Sequence, residues 1–244
     1  MDKLESVWKK WSPNRVNYLN DCFKIYITKQ KVCKECGLVT NKHDKEMFMD
    51  LSIRNNNSLH ECLEEYCSVE TMCDDNKIFC ERCDKNCDTD RRTALGHLPN
   101  TMVFSLKRFD LDYTTFETVK LNDRVAFDLT LNLKRYTLRG GEAAGEANKN
   151  SNSPPSPPPS PSPPQPQPQP PEPPTDDSDY EYKLVGVLIH AGVAQGGHYY
   201  SFIKDRSTDN WFRFDDEDVT AFDICNMERE MFGGKVMKET KVSQ

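Results

Sequence analysis

The 244-residue sequence has no apolar run long enough to cross a membrane, and its N-terminus, MDKLESVWKKWSPN, lacks the continuous hydrophobic core of a secretion signal. Leu4, Val7, Trp8 and Trp11 in that stretch follow a helical spacing that Pro13 ends, which predicts a short N-terminal helix. A surplus of positive charge is also missing. The formal net charge of −7 argues against a nucleic-acid binder held by phosphate contacts, and any charged partner surface is expected to be basic. No internal repeat is present. What remains is the composition of an ordinary soluble chain, 36% hydrophobic and 29% charged, long enough for one large domain or two small ones.

Ten cysteines would suit a disulfide scaffold, but without a secretion signal the thiols are expected to stay reduced, in the cytoplasm or nucleus. That turns attention to metal binding and catalysis. CKEC (Cys33, Cys36) and CERC (Cys80, Cys83) are two knuckles, each able to place two thiolates on one Zn²⁺ at tetrahedral angles. The 43 residues between them must make an excursion and return to close the site. Cys73 and Cys87 lie near enough to substitute as ligands, whereas Cys62 and Cys67 fit better as small apolar residues on a helix. The alternative is a set of buried or redox-active thiols. A site of four thiolates would be structural, with no open position for water.

Prolines concentrate in SNSPPSPPPSPSPPQPQPQPPEPP, a segment unable to pair in a sheet or continue a helix. With its polar flanks it reads as a disordered polyproline II insert over 140–179 that leaves the body and returns. Its PxxP spacings would also suit docking of SH3 or WW domains. The chain then divides into 1–139, the insert, and 180–244. Around the insert, residues 100–109, 181–191, 198–205 and 211–214 are rich in β-branched and aromatic side chains, which predicts an antiparallel sheet. The clearest helix is SLHECLEEYC, where Ser58 and Glu61 form a capping box and Leu59, Cys62, Leu63 and Tyr66 make one apolar face.

In AGVAQGGHYYSFI, Gly196 and Gly197 allow close approach of another backbone before His198 opens an aromatic strand. Asp215 and Asp216 follow the next strand, WFRF. Adjacent antiparallel strands would bring the start of one near the end of the other, so that a carboxylate holds one imidazole nitrogen while the other faces a nucleophile. A histidine beside a turn is also commonly just a hydrogen-bonded surface or core residue.

GGHYYSFI followed by WFRFDDEDV resembles the histidine box of the ubiquitin-specific proteases, papain-like cysteine peptidases. LPNTMVFSLKRFD resembles that family's L-P-x-x-L-x-x-x-L-K-R-F strand. The paired knuckles resemble the zinc site of its fingers subdomain, and SLHECLEEYCSVE with NKIFCERC resembles the fingers helix and the turn after it. The match covers about 20–139 and 180–235 in the family's order; with LNDRVAFDLTLNLKRYT and FGGK it looks closest to the large fat-facets-type members. The resemblance implies an α+β, strand-rich fold made of the palm and zinc-ribbon fingers of such a domain. It implies His198 as catalytic histidine, Asp215 as the residue orienting it, and Asp216 as the fallback. Gly196, Gly197 and Tyr199 would line the channel for the glycine-ended tail of ubiquitin, Cys33, Cys36, Cys80 and Cys83 would hold structural zinc, and the partners would be ubiquitin and ubiquitinated proteins. The activity implied is thiol-dependent isopeptide hydrolysis.

Three family features are missing: the G-x-x-N-x-x-N-x-C-[YF]-x-N-[AS] nucleophile box, the Q-D-A-x-E-F segment, and a last strand of Y-x-L-x-Y type. Cys22 in NYLNDCFKIY superficially resembles the box, yet lies only eleven residues before Cys33, leaving no room for the thumb. The chain is therefore expected to be a fragment without its thumb and inactive alone, with a bare apolar face where the other wall of the cleft would pack. LRGG (Leu138 to Gly141) matches the ending of mature ubiquitin, but reads better as a strand closed by turn-forming glycines. Two other readings stand beside the enzyme fragment: a ubiquitin-binding module that does not cleave, and a zinc-ribbon scaffold recruiting SH3 or WW partners.

Overall fold

Alternating apolar residues set the first strand. In IYITKQKVC, Ile25 and Ile27 are fully buried with the half-buried Tyr26 between them, and after a buried Thr28 the residues Lys29 and Lys31 face outward, giving β1 (Ile25–Cys33). The computed structural model describes residues 22–138 and 176–234. The expected N-terminal helix and nearly all of the proline-rich insert lie outside the described residues. Strands β2 (Val39–Glu46) and β3 (Met49–Ser52) precede the helix α1 (Leu59–Cys67). Then come β4 (Val69–Met72), β5 (Ile78–Cys80), β6 (Lys85–Cys87) and β7 (Thr89–Leu95), followed by β8 (Phe104–Lys107), β9 (Phe109–Asp112), β10 (Glu117–Lys120) and β11 (Thr130–Asn132). After the insert run β12 (Glu181–Lys183), β13 (Gly186–Val193), β14 (Gly196–Lys204), β15 (Trp211–Asp215), β16 (Asp218–Phe222) and the short helix α2 (Met227–Met231). No helix of the described residues is long and apolar enough to cross a membrane.

The chain divides into two compact units whose segments interleave along the sequence. The first holds an antiparallel sheet in the order β2-β1-β7-β4 and the β5–β6 hairpin. Two 3₁₀ turns, Lys134–Tyr136 and Asp177–Tyr180, flank the insert in this unit. They are tied together: the Leu133 N–H donates to the Tyr180 carbonyl at 2.9 Å, and Lys134 Nζ to Asp177 Oδ1 at 2.5 Å. The turn at Asp177–Tyr180 thus falls partly within the stretch expected to belong to the insert.

The second unit carries α1 and the four-stranded antiparallel sheet β13-β14-β15-β16. Ser58 caps α1, its hydroxyl accepting from the Glu61 N–H at 3.2 Å, and Cys62 and Leu63 are the helix's buried residues. The return bond of the capping box goes one residue upstream, from the Asn57 N–H to Glu61 Oε2 at 2.6 Å. Burial pushes the Cys67 thiol up to about 12 and raises the Cys62 thiol, so both behave as apolar, protonated side chains.

The segment 100–109 departs from the expected antiparallel sheet. It breaks at Arg108, so that β8 pairs in parallel with β3 while β9 forms an antiparallel hairpin with β10. The break is a tight backbone turn in which the Arg108 N–H donates to the Leu106 carbonyl at 2.7 Å, and the Arg108 guanidinium anchors it by donating to the carbonyls of Leu121 (3.2 Å), Asp123 (2.7 Å) and Phe232 (3.3 Å).

One face of the β13–β16 sheet packs Phe202 and Trp211 against Met227, Met231 and Phe232, with Val187, Ile189, Tyr200 and Phe222 around them. The opposite face carries Leu188, Ile203, Phe214 and Val219, all exposed. These two faces predict opposite mutational responses. Phe202→Ala removes a fully buried ring and is expected to cost about 3–5 kcal/mol, whereas Leu188→Ala should stay within about 0.5 kcal/mol. Chemical denaturation of both variants checks this, and equal losses would contradict the assignment of faces.

Candidate active site and metal centre

His198 sits near the start of β14, and its position follows from strand register. β13 pairs with β14 so that Ala191 faces His198, and β14 pairs with β15 so that Ser201 faces Phe214. Continuing the second ladder by one step sets Tyr200 opposite Asp215, which leaves His198 and Asp215 as diagonal neighbours on one face. Their side chains meet: His198 Nε2 pairs with Asp215 Oδ1. Arg213, on the same face of β15, donates from Nη2 to Asp215 Oδ2 at 2.5 Å, and its guanidinium lies 4.4 Å from the centre of the Tyr200 ring. Each carboxylate oxygen therefore has one partner, and the His198 ring is aimed by its distal nitrogen. Nδ1 makes no hydrogen bond among the described residues, and half of the side chain faces solvent.

The electrostatics match this geometry. The hydrogen bond to Asp215 raises the His198 pKa above its ordinary value, helped by the charge of Asp216, while Arg213 opposes the rise. The same hydrogen bond lowers the Asp215 carboxyl, with Arg213 adding to the effect. Asp216 lies in the two-residue turn between β15 and β16 at φ 52°, the positive φ that the first central position of a primed hairpin turn demands. Its carboxylate lies within 4.8 Å of the His198 and Asp215 groups, outside the direct pair.

The two glycines differ. A side chain at Gly197 would lie 2.3 Å from the Ala191 carbonyl oxygen and 2.3 Å from His190 Nε2, so its smallness serves its own hairpin. Gly196 faces open space, with nothing within 4 Å of the missing Cβ. Tyr199 is exposed, its ring 4.7 Å from that of His190. Lys120 braces the same hairpin from β10, donating to the carbonyls of His190 (2.6 Å) and Gly192 (3.1 Å). Arg213, His190 and Lys120 were not legible as site residues, although Arg213 had one signal, its place two residues before Asp215 on the same strand face.

In the first unit, Cys33, Cys36, Cys80 and Cys83 come together with all four sulfurs within 4.8 Å of one another. Cys33 ends β1, where it pairs with Thr89 of β7, and the β5–β6 hairpin presents the second knuckle. Cys33 Sγ is 4.0 Å from Cys83 Sγ, and Cys36 Sγ is 3.6 Å from Cys80 Sγ. A tetrahedron with metal–sulfur bonds of about 2.3 Å has edges of about 3.8 Å, so the four thiols fit one metal ion. The backbone N–H of Cys36 lowers the Cys33 thiol to about 6. Cys73 points instead to Asp74 at 3.5 Å, which raises its pKa and removes it from the candidate ligands.

The family model described as ubiquitin carboxyl-terminal hydrolase matches residues 1–236. The chain belongs to the ubiquitin carboxyl-terminal hydrolase family. Among curated family members, human ubiquitin carboxyl-terminal hydrolase 9Y is 34% identical over 86% of this chain, and the Drosophila melanogaster probable ubiquitin carboxyl-terminal hydrolase FAF is 31% identical over 86%. The chain spans only 8% and 7% of those two relatives. Ubiquitin carboxyl-terminal hydrolase 47 of Drosophila melanogaster is 29% identical over 96% of the chain, which covers 17% of it. A solved structure described as the SAGA Ubp8/Sgf11/Sus1/Sgf73 DUB module bound to ubiquitin aldehyde superposes with a TM-score of 0.65 at 23% identity, covering 88% of this chain and 41% of its own. That likeness confirms the strand-rich α+β fold.

For this hydrolase-family chain the pH dependence follows from the pair. A raised His198 pKa stabilises the fold fully below the imidazole's unfolded value, and the effect is lost as pH rises through the folded one. A lowered Asp215 pKa stabilises above the carboxyl's unfolded value, and is lost as pH falls through the folded one. Asp215→Asn should bring the His198 midpoint down toward about 6.5 in an NMR titration; an unchanged midpoint would show that Asp215 does not hold the ring.

Proposed function

We propose that this chain is the histidine-bearing and metal-bearing part of a cysteine-type deubiquitinase domain, acting on bonds at the C-terminal glycine of ubiquitin. The observation that supports this best is the His198–Asp215 pair, aimed at one end and open at Nδ1, in a chain of the hydrolase family. A cysteine thiolate supplied from outside the stretch described here attacks the carbonyl of ubiquitin's last glycine. His198 holds the thiol proton at Nδ1 and passes it to the leaving lysine amine, which departs as the thioester forms. Water then attacks the thioester with His198 as general base, releasing the ubiquitin carboxylate and restoring the thiol. Asp215 fixes the ring through Nε2 and stabilises the imidazolium. Gly196 and Tyr199, exposed beside His198, take the glycine-ended tail, and Gly197 shapes the hairpin that presents them.

The four-thiol site suits Zn²⁺ because the donor set is all sulfur and leaves no position for water. Cys33, Cys36, Cys80 and Cys83 would hold the ion, whose chemistry there is structural cross-linking. Chelation is expected to unfold the first unit around β5–β6 while leaving the β13–β16 sheet intact. Amide exchange mapped by mass spectrometry checks this, and uniform protection before and after chelation would count against a metal staple. The tie between Leu133, Lys134, Asp177 and Tyr180 keeps the exit and re-entry of the proline-rich insert together, which supports its display as a loop for SH3 or WW domains.

The direct test is binding of the 244-residue chain to ubiquitin with and without its terminal Gly-Gly. The reading expects intact ubiquitin to bind more tightly, and Gly196→Val to erase the difference, since that position faces open space. Equal affinity for the two ubiquitins would overturn it.

A further inference from the structure

A fifth thiol lies against the four-cysteine cluster. Cys87, in β6, is fully buried and shares one cluster with Cys33, Cys80, Cys36 and Cys83. Its sulfur lies within 4.8 Å of those of Cys83 and the nearest Glu35 oxygen. Of the four cluster sulfurs, that of Cys83 is the one grouped with Cys87 within that distance. Its own hydrogen bond is weak, Sγ to the Lys85 carbonyl at 3.5 Å. Glu35 is engaged by Lys85 at 2.7 Å, which leaves the sulfur as the better ligand of this pair.

Cys87 thus sits beside the Cys83 corner of the tetrahedron, buried in the same cluster. We propose that Cys87 is a reserve metal ligand that takes the place of Cys83 when that thiolate releases the ion, so that this site draws its four thiolates from five. The exchange is a substitution without redox change. The Cys87 thiol gives its proton to solvent as its sulfur binds, and the departing thiolate takes one up. The cysteine spacing alone left Cys73 and Cys87 equal as substitutes; the hairpin turns only Cys87 inward.

The inference rests on the four-thiol reading, and one set of variants separates the two. Full-length chain is loaded with Zn²⁺ and its metal content measured after gel filtration, then loaded with Co²⁺ and its thiolate charge-transfer absorption recorded. One ion per wild-type chain supports the four-thiol site, and none would sink both ideas. Given that, Cys83→Ser should keep one ion with a full sulfur spectrum, while Cys33→Ser, Cys36→Ser and Cys80→Ser should lose it. The double variant Cys83→Ser with Cys87→Ser should lose it as well. Loss from Cys83→Ser alone, or retention by the double variant, overturns the reserve role. Because a serine variant can fail to fold, Cys87→Val provides the second measurement: it should bind one ion as the wild type does but release it to a chelator several-fold faster. Release at the wild-type rate would overturn the proposal.

Discussion

The register between β14 and β15 is the constraint on which the candidate active site depends. Side chains on a strand alternate faces, so a slip of one residue would send His198 and Asp215 to opposite sides of the sheet. The register is held from both directions. The buried face locks Phe202 and Trp211 into the core with Met227, Met231 and Phe232, and the turn at Asp216 ends β15 directly after Asp215. The packing that stabilises the second unit therefore also aims the imidazole. Lys120 and His190 act one step further back, fixing the β13–β14 hairpin on which His198 is carried.

Charge and burial are divided between the two units in different ways. In the second unit, a short chain of opposite charges, Arg213, Asp215 and His198, lies at the rim of an apolar core, where a partly exposed imidazole stays free to exchange protons. In the first, thiols are gathered with little other core around them, and a metal would supply the cohesion that apolar side chains do not. The outward face of the β13–β16 sheet, with Leu188, Ile203, Phe214 and Val219 exposed, is an apolar surface beyond what scattered surface residues explain.

Much of this was legible in the residues themselves. Ser58 and Glu61 announced α1, the aromatic and β-branched runs announced β13 to β15, and strand adjacency offered Asp215 and Asp216, just after WFRF, as partners of His198, between which the family resemblance chose Asp215. The two knuckles were legible as well, but not how 43 intervening residues close them: part of that span, 48–68, belongs to the second unit, and the β1–β7 pairing brings the chain back. The parallel β3–β8 pair was not visible, because local pattern marks a strand and says nothing of its partner. Arg213 was hidden for a related reason. A charged residue on a strand reads as solvated until its neighbour is known.

The central claim is that Asp215 holds one specified nitrogen of His198 and leaves the other for the reaction. Long-range ¹H–¹⁵N spectra of the ring, recorded above its titration midpoint, test it most directly. The account predicts that Nε2 carries the proton, in its bond to Asp215, and that Nδ1 is the bare acceptor. A ring protonated at Nδ1, or averaging between the two forms as a free imidazole does, would contradict it.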